Sequence, residues 1–161
     1  MINATDLSDA FARNVGIIKM QTKDLTHADS LIQPPFGGNC LNWVLGHLAE
    51  NRDHVLELLG EPVSMGELGA RYKRGSDPLI APGDDTLPLA EILAWLDRAQ
   101  ERIVAAIARM DDAAWAREIV TGNNRKATVA QRVFFLYFHE TYHVGQTELF
   151  RQIAGKNDKI I

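Results

Sequence analysis

The stretch Phe138-His139-Glu140-Thr141-Tyr142-His143-Val144-Gly145-Gln146 reads as part of a long terminal helix carrying two histidines four residues apart. At about 100° per residue, that spacing sends both imidazoles off one helical face, about one turn apart. Upstream, Thr128-Val129-Ala130-Gln131 has the form of a capping box, so the helix is expected to open there and to close at Gly155. Arg132, Leu136, Gln146 and Phe150 share the stripe of the histidines, which marks it as mostly core-facing.

The rest of the chain supplies helices for that face to meet. Leu7, Phe11, Val15, Ile18 and Leu25 trace a stripe that predicts a first helix from about Thr5 to about Asp24, capped by Thr5 or Ser8. Thr26 to Ile32 reads as a turn-like piece, and Gln33-Pro34-Pro35-Phe36-Gly37-Gly38-Asn39 is a cluster of helix breakers. Asn39 is the expected N-cap of a second helix ending near Gly60, ahead of Pro62. A third is expected from about Pro88 to Met110, its buried face drawn by Leu89, Ile92, Leu93, Leu96, Ile103, Val104 and Ile107. A brief helical turn, Asp111 to Arg117, and a hydrophilic loop, Thr121 to Lys126, lead into the last helix, and no segment alternates as a strand would. The connection from Glu61 to Leu87 is rich in Gly, Pro and Asp; its length suggests function or mobility, and it is expected to cover one end of the bundle.

A chain of 161 residues buries one core comfortably, so residues 1–161 are read as a single all-α domain. With 46% apolar and 24% charged residues the composition is that of an ordinary soluble globular protein. A formal net charge of −4, with basic residues scattered, offers no positive face to nucleic acid or to an anionic membrane, so neither is an expected partner. Cys40 stands alone, which excludes an intrachain disulfide and a Cys-rich zinc finger. The first residues lack a basic segment followed by an apolar one, and no run approaches the length of a membrane span, so the cytoplasm is the expected location.

His47, in Asn42-Trp43-Val44-Leu45-Gly46-His47-Leu48, shares a largely apolar stripe with Cys40, Trp43, Val44, Asn51, His54 and Leu58. If the second and last helices pack together, His47, His139 and His143 form a three-nitrogen site, and one divalent cation would take an electron pair from each buried ring. Against this stands the hydrogen-bonded core histidine, the default for His27 and His54; spacing alone leaves the two readings evenly balanced. Trp43, Trp95, Trp115 and the Phe134 to Phe138 run read as packing residues, and Cys40 as a small buried hydrophobe. His139-Glu140-x-x-His143 also fits the short zinc-protease pattern with Glu140 as general base. That pattern needs a third ligand further along, yet fewer than twenty residues follow His143, and Gly145 lies two rather than three beyond it.

Other candidates have two readings each. Glu140 is a general base or an acceptor for an imidazole N–H, against a boundary carboxylate in an ion pair. Asn51 and His54 follow His47 by one and two turns and are candidates to line its pocket. Arg132, two turns before His139, is a clamp for a carboxylate-bearing thiol or substrate, against an end-of-helix ion pair. Arg71, Tyr72, Lys73 and Arg74 read as a solvated basic turn, with substrate contact as the alternative.

The order of a long helix, Trp43-Val44-Leu45-Gly46-His47-Leu48, a loop ending in Leu87-Pro88-Leu89-Ala90-Glu91-Ile92, and His139 to Gln146 resembles the DinB/YfiT-like superfamily from about Leu7 to Gly155. Its most specific part is His47 together with Tyr142-His143-Val144-Gly145-Gln146. The resemblance implies an antiparallel four-helix bundle with a long crossover between helices 2 and 3, a metal triad of His47, His139 and His143, and a homodimer. It also implies a divalent metal ion, zinc or nickel, which in some branches activates a low-molecular-weight thiol for S-transfer to, or isomerisation of, a small-molecule substrate. A non-enzymatic metal-binding or stress-related protein is the alternative from another class.

Overall fold

Short polar side chains start most of the helices. The computed structural model describes residues 3–79, 86–122 and 124–158. Asn3 Oδ1 accepts the Asp6 N–H at 2.8 Å and caps α1 (Ala4–Thr22), so neither Thr5 nor Ser8 is the cap. Thr26 and Asp29 form a capping box at α2 (His27–Ser30), a short helix where a turn was expected. Cys40, not Asn39, occupies the N-cap position of α3 (Leu41–Leu58), and its side chain makes no capping bond. Pro88 precedes α4 (Leu89–Ile107), and Asp111 caps α5 (Asp112–Ala116). The box read at Thr128 and Gln131 is present and opens α6 (Val129–Ile153). Gly60 and Gly155, at φ +82° and +80°, take the left-handed conformation that ends α3 and α6.

The expectation that no segment forms a strand is also corrected. Glu118–Val120 (β1) and Lys126–Thr128 (β2) pair as an antiparallel hairpin. Three-residue strands are too short for alternation to register in a sequence, and the pairing is held by its turn, where the Thr121 N–H donates to Arg125 O at 2.9 Å.

Residue pairs across the bundle give the helix directions. Asn14 meets Glu140 and Gln21 meets Arg151, so α1 and α6 run parallel. His47 lies against His143 and Arg52 against Glu140, so α3 and α6 are antiparallel. Lys19 with Asp97 and Ser8 with Gln100 make α1 and α4 antiparallel, while Asn42 with Leu87 and Arg52 with Gln100 make α3 and α4 parallel. The order is therefore up-down-down-up, with two antiparallel faces and two parallel ones. This explains the long connection: the chain must return the whole length of α3, about 27 Å for 18 residues, before α4 can run alongside it. Part of the return is a 3₁₀ helix, Gly66–Tyr72, and residues 80–85 of it lie outside the described residues.

Two apolar clusters fill the bundle, one around Ile18, Leu45, Leu48, Ile92 and Leu96, the other around Phe11, Val55, Leu56, Ile103 and Val133. Between them lies a polar layer centred on Arg52, which is fully buried. Its Nε donates to Glu140 Oε2 at 2.7 Å, Nη2 to Glu140 Oε1 at 2.8 Å and to Phe11 O at 3.1 Å, and Nη1 to Gln100 Oε1 at 2.9 Å. Asn14 Nδ2 adds a bond to Glu140 Oε1 at 3.1 Å. Every guanidinium nitrogen is satisfied, as burial of a charge requires.

Several side chains expected to pack do not. Val104 is 42% exposed, and Phe134, Phe135 and Phe138 are 45%, 48% and 60% exposed on the outer face of α6. His27 and His54 are exposed rather than core residues.

Candidate metal centre

The middle of α3 and the middle of α6 bring three imidazoles together. The ring centroids of His47 and His139 are 5.2 Å apart, those of His47 and His143 5.5 Å, and those of His139 and His143 4.6 Å. Each histidine offers a nitrogen within 4.8 Å of the others. Three nitrogens at about 2.1 Å from one tetrahedral cation are about 3.4 Å apart, so small side-chain rotations close the set around an ion.

Hydrogen bonds fix the tautomers of two of the rings. His47 Nδ1 lies 2.8 Å from Tyr72 O and donates its proton there, which makes Nε2 the nitrogen with the electron pair. His143 Nδ1 donates in the same way to Gln146 Oε1 at 2.8 Å. His139 is different: its Nδ1 is buried and has no hydrogen-bond partner among the described residues. An orphaned buried imidazole nitrogen is costly, and a cation held jointly with the other two rings would compensate for it.

The Tyr72 carbonyl is positioned by a glycine. A Cβ at Gly46 would stand 2.1 Å from Tyr72 Cδ1, so the bare backbone of α3 is the seat on which the tyrosine ring rests. The fully buried Tyr72 then donates its hydroxyl proton to Asn42 Oδ1 at 3.2 Å and accepts the Leu87 N–H at 2.8 Å. The crossover is thereby pinned at the level of His47. Trp43, one turn earlier, stacks on the His47 ring at 4.9 Å and 20°.

The electrostatics favour the neutral form of two of the rings, His47 and His139. Burial pushes the His47 pKa down, with the bond to Tyr72 opposing it. Burial, then the charges of His143, His47, Arg132 and Arg74, push His139 down to about 4. Neutral imidazoles are the form in which histidine ligates a metal. Two half-buried rings and one buried ring, with no carboxylate or thiolate in the group, form a donor set suited to a divalent transition-metal ion.

The remaining candidates divide. Asn51 joins the group: its Nδ2 donates to His47 O at 2.8 Å and lies 3.2 Å from His47 Nε2. Arg132 stands near it, its guanidinium 5.0 Å from the Phe135 ring, which in turn stacks at 6.3 Å on His139; it forms no ion pair among the described residues, so the end-of-helix pair is not found. Glu140 is placed elsewhere. Both of its oxygens are bound by Arg52 and Asn14, so the ion-pair reading describes it, and the general base that the protease pattern requires is not available. His54 turns to Glu50, 2.9 Å from its Nε2, which raises its pKa chiefly through that hydrogen bond, and it lines a separate small cavity of about 110 Å³. Cys40 is fully buried and outside the cluster. Of the turn read as solvated, Lys73 and Arg74 are exposed, but Tyr72 is buried beneath them.

Two supporting residues were not assigned from sequence. Gln146 lay on the histidine stripe without a role, and Tyr72 acts through its backbone carbonyl, which no side-chain pattern displays. Gly46 was the available signal, a glycine inside an apolar helix next to a candidate ligand.

In a comparison with known families, the profile of the DinB superfamily aligns with residues 19–147, a span that contains all three histidines. No curated protein matches the chain. The chain belongs to the DinB superfamily.

Proposed function

We propose that this DinB-superfamily chain is a metal-dependent enzyme that uses a small thiol, a thiol S-transferase or isomerase acting on a small-molecule substrate in the cytoplasm. The observation that carries the reading is the convergence of His47, His139 and His143 with no fourth protein ligand among the described residues. Three protein ligands and an open position are the pattern of catalytic rather than structural zinc sites. A zinc or nickel ion held there would supply Lewis acidity, stabilising a thiolate near neutral pH. Tyr72 and Gln146 keep the Nδ1 protons of His47 and His143 away from the site. Arg132, without an ion-pair partner among the described residues, would attract the carboxylate of a thiol or substrate.

The homodimer belongs to the same proposal. Phe134, Phe135, Phe138, Tyr142 and Leu149 form one exposed stripe of α6, each between 42% and 64% exposed. At roughly 100 Å² apiece they offer about 500 Å² per protomer, and two such faces reach the roughly 1,000 Å² that a specific interface needs. Apart from Arg132, whose guanidinium lies over Phe135 at one margin, the stripe is uncharged, so a second copy is its natural complement. The enzymatic reading is tested by assaying zinc- and nickel-loaded protein with a panel of small thiols and electrophiles. Thiol-dependent turnover that disappears in His47→Ala is expected; its absence across the panel would favour the non-enzymatic metal-binding alternative.

A further inference from the structure

Beside the histidine cluster lies an open cleft of about 690 Å³, and none of the three histidines lines it. One wall is the breaker segment, with Gly37, Gly38 and Asn39; the other is the turn of the crossover that carries Arg74 and Ser76. Trp43 lines the cleft and also stacks on His47, so it is the residue that the cleft and the cluster share. The walls are tied to each other and to the bundle. Gln33 Nε2 donates to Leu79 O at 2.6 Å, and Trp43 Nε1 donates to Ser76 Oγ at 3.0 Å. Gly37 and Gly38, at φ +81° and +96°, hold a backbone turn that other residues adopt only with strain.

The lining contains one charged side chain, Arg74, and no carboxylate. Gln33 and Ser76 already spend their donors inside the protein, on Leu31 O, Leu79 O and Arg71 O. Arg74 and Asn39 form no hydrogen bond or ion pair among the described residues, and one comes from each wall. A largely apolar cleft with a few convergent, uncommitted donors is the form of a small-molecule site. A guanidinium matches a carboxylate in shape and charge, and an indole wall accepts an apolar body.

We propose that this cleft binds the carboxylate of a small organic anion through Arg74 and Asn39, with the apolar body of the molecule against Trp43. The cleft thereby holds the anionic end of a molecule whose other end reaches the histidines, and this last step alone rests on the metal-dependent reading above.

Calorimetric titration of hexanoate and of its neutral isostere hexanamide, into metal-free and zinc-loaded protein, tests the proposal without recourse to turnover. Saturable hexanoate binding is expected in both forms, with hexanamide at least tenfold weaker. Arg74→Gln should weaken hexanoate at least tenfold, whereas Arg13→Gln, at an exposed arginine of α1, should leave it unchanged. Equal binding of the two probes, no saturable hexanoate binding, or an Arg74→Gln protein that binds like the parent would each overturn it. Hexanoate binding confined to the zinc-loaded form and indifferent to Arg74 would overturn it as well, while leaving the metal site intact. Conversely, a chain that retains no zinc yet shows the Arg74-dependent discrimination would sink the metal reading and leave the cleft standing.

Discussion

Gly46→Ala separates the tertiary role of this glycine from its helix propensity. In an isolated helix the change is favourable by about 1 kcal/mol. In this bundle the new methyl carbon would stand 2.1 Å from Tyr72 Cδ1, 2.3 Å from Cε1 and 2.5 Å from Cγ. Carbon atoms rest about 3.5–4.0 Å apart, so the ring must retreat by more than 1 Å, about the displacement at which hydrogen bonds are lost. Overpacking of this kind costs about 1–3 kcal/mol, and losing the two bonds of the Tyr72 hydroxyl costs about 1–3 kcal/mol more. With the propensity gain deducted, a net destabilisation of about 1–5 kcal/mol is expected, or a Tm lowered by roughly 2–20 °C for a domain of this size. The ring carries the carbonyl that holds His47 Nδ1, so zinc affinity, measured by chelator competition, should fall about 10- to 100-fold. A raised Tm with unchanged zinc affinity would refute the reasoning, because it would mean that Tyr72 neither rests on Gly46 nor orients His47.

The other expectations are brief. Glu140→Ala should destabilise the fold by about 3–5 kcal/mol, because Arg52 would be left buried without its counter-charge, while the metal-binding stoichiometry persists; loss of metal without loss of stability would return Glu140 to the site. Phe138→Asp should convert a dimer to a monomer in sedimentation equilibrium with helicity retained, and an unchanged mass would place any interface elsewhere. Without metal, stability should decline as pH falls from about 6.5 toward about 4, because the unfolded chain takes up a proton that folded His139 refuses. His54 acts in the opposite direction: its raised pKa gives a contribution present below about 6.5 and lost as pH rises through the folded value. Urea midpoints at pH 7 and pH 5 should therefore differ less in metal-free His139→Gln than in the parent, and an equal difference would contradict the assignment.

The parts of this fold that were legible in the sequence are those written locally. The Thr128 and Gln131 box, the closing Gly155 and the one-turn spacing of His139 and His143 depend on neighbours within a few residues, and they stand where expected. What was not legible depends on contacts between distant segments. Tyr72 is buried because α3 presents a bare backbone at Gly46, so a turn that reads as basic and solvated places its one aromatic ring in the core. Glu140 sits next to a candidate ligand, yet its direction is decided by Arg52, 88 residues away. The Phe134 to Phe138 run looks like core because apolar composition does not reveal which side of a helix lacks a neighbour; three of its members face outward. The hairpin before α6 rests on three residue pairs, too few to leave a pattern.

Metal content per chain, measured by elemental analysis after loading with zinc or nickel and exhaustive dialysis, addresses the three-histidine centre most directly. One ion per chain is expected in the parent protein and none in a chain carrying His47→Ala, His139→Ala and His143→Ala with its helicity intact. A parent that retains no ion, or a triple variant that still holds one, would contradict it.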